Sequence, residues 1–161
     1  MQPGACREHF GQLLSDEIAG LTELAGLLEH EHELLVANDV SALEEAMRAR
    51  QSCVTRIVKV DEERRSLCRM LGYSADVPGI EKLLRWCDPH STLASRWAEC
   101  NARTGRCREL NDRNGALVAA RLKRVQSLLG VLVGRSRESN TYGRRGAQIT
   151  GSTGSVITTE A

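Results

Sequence analysis

The residues best equipped for chemistry are two histidines set among glutamates, and six cysteines. His30 and His32 alternate with Glu29, Glu31 and Glu33 in "EHEHELL", a donor set that suits a divalent metal. On a helix, residues two apart point to different faces, so the two imidazoles cannot readily share one ion. The stretch reads as a solvated acidic face. Cys100 and Cys107 share a helix face but stand two turns, about 10 Å, apart, too far to hold one zinc unless Cys53 or Cys68 faces them from a second helix. Cys87 lies three residues from His90 and offers a nucleophile with a base. Pro89 restricts their approach, and neither an orienting third group nor an oxyanion loop accompanies them. "YGRRG" and "GSTGS" lack the Lys-Ser/Thr and the preceding strand of a phosphate loop. The expectation is a protein that is not an enzyme, with no metal and no cofactor.

The cysteines, Cys6, Cys53, Cys68, Cys87, Cys100 and Cys107, include no C-x-x-C pair. "MQPGACREHF" has neither the basic head nor the apolar core of a secretory leader. No run of about 18 apolar residues is present to span a bilayer. A cytoplasmic location is therefore expected, without direct membrane insertion, and the cysteines read as small buried thiols. A formal net charge of +1 supplies no field to gather the chain on nucleic acid. Arg64-Arg65 and Arg144-Arg145 are the notable basic doublets.

What must carry these residues is a set of helices. In 161 residues aromatic content is 3% and charged content 27%, which suits long helices with a narrow apolar stripe better than a β-sandwich. From Phe10, apolar residues recur at Leu14, Ile18, Leu21, Leu24, Leu28 and Leu35, the alternation of three and four that marks one helix face. Asn38-Asp39 ends this helix, and its side chains suit an N-cap for the next. The second stripe runs from Val40 through Leu43, Met47, Val54 and Ile57 to Cys68 and Leu71, with Arg50, Asp61 and Arg64 interrupting it. Those three are costly to bury singly, so they are expected at the seam's edge or paired across it. Gly72 is a plausible helix end. "IEKLLRWC" reads as a short connector helix, after which Asp88 can cap and Pro89 can open the last helix.

The last helix poses one question, because Asn114-Gly115 is a strong turn signal. The apolar count nevertheless passes through it in phase, from Leu93, Trp97, Cys100 and Cys107 to Val118, Val125, Leu128 and Leu132. One Gly inside a helix costs only about 1 kcal/mol, so a continuous helix is expected. Asn111 and Asn114 then fall on the seam and set its register, with Gly115 allowing a neighbouring backbone to approach. Trp86 and Trp97 are expected to close the far end of the bundle.

The fold expected is all-α: an elongated antiparallel three-helix bundle or coiled coil with a short connector helix. Its helices cover about residues 8–37, 39–71, 79–87 and 89–134, so that 1–134 forms the helical domain. Residues 135–161, rich in Gly, Ser and Thr, read as a mobile tail. The last helix outruns the second by roughly 15 Å at 1.5 Å per residue, so its end should overhang. That end is "RVQSLLGVLVG", an apolar patch that something should cover: a partner helix, the chain's own tail, or a second copy in a homodimer formed when no other partner is present.

This layout resembles the FlgN family of flagellar export chaperones from about Phe10 to Gly146. The likeness lies in the leucine-rich first helix and the Asn-Asp break followed by Val-x-x-Leu. It continues in the N-x-x-N-G patch of Asn111, Asn114 and Gly115, the apolar segment from Leu117 to Leu132, and a Tyr-Gly-x-x-G element of Tyr142, Gly143 and Gly146. The resemblance implies a cytosolic chaperone of the flagellar type III secretion route. Such a protein holds the C-terminal amphipathic segment of hook-associated, hook–filament junction proteins and delivers them to the export gate at the membrane. The client-binding positions it implies are Leu117, Val118, Leu122, Val125, Leu128, Leu129, Val131 and Leu132, and Tyr142 is implied in gate docking. The tail beyond Gly146 and the six cysteines depart from the family's pattern. The competing reading is a self-associating coiled-coil structural or regulatory adaptor with no export role.

Overall fold

The computed structural model describes the chain through residue 139, with side chains through Val133. Among these residues every regular element is a helix. Helix α1 spans Pro3–Ala37, with Pro3 in its first turn, where a missing N–H costs nothing because that group has no intrahelical partner. It starts ahead of the expected residue 8 for this reason. Asn38 takes the left-handed conformation at φ 60°, and the N–H of Asp39 returns to the carbonyl of Leu34 at 3.1 Å. The Asp39 carboxylate then accepts from the N–H of Ala42 at 3.0 Å and opens α2, Val40–Met70. The two residues of the break thus divide the work, one ending a helix and the other starting the next. Gly72 follows α2 at φ 79°, the left-handed position that glycine occupies without a Cβ penalty.

Helix α3, Val77–Cys87, is capped by Asp76, whose carboxylate accepts from the N–H of Gly79 at 2.9 Å. The long helix α4, Ala94–Ser139, begins later than expected. Pro89 lies in a turn and not in the first helical position. Asp88 is turned to another use: its carboxylate accepts from the N–H of Leu93 at 2.7 Å and from the Thr92 hydroxyl at 2.7 Å. That clasp holds residues 88–93 as a loop, with Ser91 at φ 55°, and delays the helix by one turn. At its other end α4 continues beyond residue 134 to Ser139. The rest of the segment read as a mobile tail, from residue 140 onward, lies outside the described residues.

Helix α4 runs through Asn114-Gly115 without a break. Gly115, however, does not admit a neighbouring backbone: a Cβ there would meet open space. One residue beyond buried Asn114 it has rotated about 100° around the helix, away from the packed face. The close backbone approach is at Gly79, where a Cβ would run into the Ser74 carbonyl, while between α1 and α2 a Cβ at Gly20 would come within 2.8 Å of the Ile57 side chain.

The chain divides into two units, Met1–Ala120 and Arg121–Ala161. In the first, side-chain bonds order the helices. Glu17 meets Arg64 and Glu31 meets Arg50 between α1 and α2, so these run antiparallel. Arg103 donates to Thr22 and Asn114 donates to Leu28 between α4 and α1, so these run parallel. The core gathers Cys6, Phe10, Leu14, Leu67, Cys68, Ile80, Leu83, Cys87 and Cys100 where α3 packs on the others, and continues along the seam to Leu28 and Leu110. In the second unit the described residues, 121–133, are helical, and every apolar side chain among them is exposed.

Candidate protein-binding site

The groups that suggested chemistry are spent on packing. His30 is exposed and faces Glu33 at 3.7 Å. His32 is half-buried and its Nδ1 meets Asn114 Oδ1 at 3.0 Å, while Asn114 Nδ2 donates to the Leu28 carbonyl at 2.8 Å. With the amide turned that way its oxygen can only accept, so His32 Nδ1 carries the proton. Glu31 is 7% exposed; its Oε2 lies 3.4 Å from Arg50 Nε as an ion pair and accepts no hydrogen bond. The "EHEHELL" stretch is therefore not a solvated face throughout. Glu31 completes the interval of three and four between Leu28 and Leu35, so it faces the core, and His32 turns toward α4.

The expected seam residue Asn111 is exposed, and it accepts from Arg50 Nη1 at 3.3 Å at the edge of α2. Leu110 takes the core place beside it. Asn114 is buried as expected. Arg64 pairs with Asp61 on its own helix and with buried Glu17 of α1, Nε to Oε2 at 3.1 Å. Its guanidinium carbon also stands 5.4 Å from the centre of the Trp97 ring. The tryptophans do not form one aromatic cluster: Trp86 pairs with Tyr73 at 6.3 Å between centroids, and Trp97 serves Arg64. Glu17 was not singled out from sequence, although its position three residues after Leu14 places it on the same face.

All six cysteines are buried free thiols. Burial pushes the Cys6 thiol up to about 12, with Cys87 beside it adding to the shift. Burial and the neighbouring Glu17 push Cys100 up to about 12. Cys53, Cys68, Cys87 and Cys107 are raised as well, again by burial first. Protonated thiols are poor nucleophiles and poor metal ligands. Two of them instead donate to α1 carbonyls, Cys53 to Gly20 at 3.4 Å and Cys107 to Leu21 at 3.3 Å. Cys87 is buried while His90 is exposed, so that pair is not assembled. Among the described residues no group of three or more His, Cys, Asp or Glu side chains is placed to hold a metal, and no helix is long and apolar enough to cross a membrane.

The exposed surface of α4 carries apolar side chains over its second half. Leu117 is half-buried and Val118 is 49% exposed in the first unit. In the second, Leu122, Val125, Leu128, Leu129, Val131, Leu132 and Val133 are 52–62% exposed. Leaving such side chains in water costs about 25 cal/mol per Å², so their succession on one helix makes a candidate interaction surface. Tyr142 lies outside the described residues.

The class these features define is an all-helical protein whose buried polar groups set register and whose unsatisfied surface is apolar. The family model described as FlgN protein matches residues 7–149. The chain belongs to the FlgN family, and membership carries the general role of a flagellar export chaperone. Comparison with curated proteins and with solved structures gave no match.

Proposed function

We propose that this protein is a cytosolic type III export chaperone that captures the C-terminal amphipathic segment of hook-associated proteins and delivers them to the export gate. The single observation carrying this reading is the exposed apolar succession from Val118 to Val133 within a chain of the FlgN family. Leu117, Val118, Leu122, Val125, Leu128, Leu129, Val131 and Leu132 form the client-binding segment in this reading. A client helix laid on it would remove from water the surface that the free chain leaves exposed. Asn111 and Asn114 act upstream, holding α4 to its neighbours, and Tyr142 serves gate docking. Helices α1, α2 and α4 form the three-helix bundle that supports the segment.

The test is titration of the full chain with a peptide of a hook-associated protein's C-terminus. Saturation at one peptide per chain is expected, lost in Leu128→Asp and in Leu132→Asp while helical circular dichroism persists. Loss of the helical signal would make these residues core. A tight dimer indifferent to the peptide would replace the chaperone by a self-associating adaptor.

A further inference from the structure

The exposed apolar residues of the second unit are ordered. Leu122, Val125, Leu129 and Leu132 follow at intervals of three, four and three, and on an α-helix they fall within an arc of about 80°. These four have the spacing of a coiled-coil seam and lie at the centre of a wider exposed apolar surface that includes Val131. Leu128 borders the seam on one side and Val133 on the other, and both are exposed.

The charge around this seam has one sign. Among the described residues of the second unit, 121–133, the charged ones are Arg121, Lys123 and Arg124, and none is a carboxylate. Arg121 flanks the seam on the side of Leu128, and Arg124 and Lys123 stand farther round the helix. In coiled coils the residues flanking the seam choose the partner, and like charges brought together there oppose pairing. A second copy would bring the same cations against these. A lipid surface would also satisfy the charge, but the Trp and Phe that strengthen such anchoring beside Leu do not occur between Trp97 and Tyr142.

We propose that the seam Leu122–Val125–Leu129–Leu132 receives one acidic amphipathic helix of another protein, apolar at intervals of three and four and bearing Asp or Glu along its edges, and discriminates against its own copy. The proposal rests on the reading of this segment as the client-binding surface and specifies the chemistry that the surface selects.

The test uses the full chain and two designed helical peptides that share a leucine seam and differ only in carrying Glu or Lys at the flanking positions. The Glu peptide should bind at least ~10-fold tighter, and the margin should shrink as salt is raised and the charges are screened. Arg121→Glu combined with Arg124→Glu should reverse the preference while circular dichroism is unchanged. Equal binding of the two peptides, or a preference that ignores salt, overturns the proposal. So does binding to phosphatidylserine vesicles with neither peptide bound, or a dimer held through this seam in light scattering.

A hook-associated peptide run in parallel separates the two levels. If it binds and is lost in Leu129→Asp while the designed peptides bind alike, the charge selection fails and the client-binding reading stands. If it binds equally well to Leu129→Asp, the client-binding reading itself fails.

Discussion

Asn114 and Leu28 are joined by a hydrogen bond of 2.8 Å from the Asn114 amide to the Leu28 carbonyl, and this bond fixes how far α4 is advanced along α1. His32 locks the amide in that orientation from the other side. Asn114→Ala should cost about 1–3 kcal/mol, since His32 and Leu28 lose a buried partner. Asn114→Leu should recover most of that stability and lose the unique register, because an apolar residue packs in several alignments where an amide accepts one. Urea unfolding gives the first quantity, and broadened amide resonances in α1 and α4 would report the second.

Glu17 and Arg64 form a largely buried ion pair with Trp97 over the guanidinium. Removing one partner strands the other, so Glu17→Ala should destabilise by about 3–5 kcal/mol. Glu17→Leu with Arg64→Met should lie close to the parent, because an apolar pair of similar volume has no charge to desolvate. An equal loss in the double variant, which keeps the volume, would mean that the ion pair itself is net stabilising.

Glycines of α1 and α4 should respond in opposite directions. Gly20→Ala places a methyl 2.8 Å from Ile57, which overpacks the α1–α2 seam and should cost about 1–3 kcal/mol. Gly115→Ala meets nothing and sits inside a helix, so it should gain about 1 kcal/mol. Thermal unfolding of the two variants checks both signs.

The buried thiols make stability fall in alkali. Cys6 and Cys100 hold their protons to about pH 12 when folded, while an unfolded thiol releases its proton near 8.5. Above that lower value the unfolded chain carries fewer protons, so stability declines with rising pH until the folded thiols also titrate. The slope per thiol is up to about 1.4 kcal/mol per pH unit. Urea midpoints followed from pH 8 to pH 11 should therefore fall less steeply in Cys100→Ala than in the parent. An identical slope would mean that Cys100 is accessible to hydroxide.

Tyr142→Ala should leave peptide binding unchanged and reduce secretion of hook-associated proteins. Normal secretion would remove Tyr142 from the proposed docking role. Leu132→Asp offers the opposite pattern, with peptide binding lost and stability within about 0.5 kcal/mol of the parent, as expected for an exposed position.

Local chemistry made the helix ends legible at Asn38-Asp39 and Gly72, because a left-handed residue and an N-cap act over three or four neighbours. The passage of α4 through Gly115 was legible from phase alone. The start of α4 was not, because the Asp88 carboxylate reaches five residues forward to Leu93, a bond that competes with the helix-opening preference of Pro89. Glu31 and His32 were missed since polar side chains on a polar stretch resemble solvent-facing ones. Their partners, Arg50 and Asn114, lie 19 and 82 residues away. Periodicity names the face of a helix but not which carboxylate will find a guanidinium there. Likewise the apolar run after Leu117 shows in the sequence, but periodicity does not name what covers it.

The six enclosed thiols have a practical corollary. An alkylating reagent reaches each only when the surrounding packing parts, so labelling rates compared residue by residue give a clock for local opening. Cys6 and Cys87 would time the end where α3 docks, and Cys53 and Cys107 the middle of the seam. No probe has to be introduced.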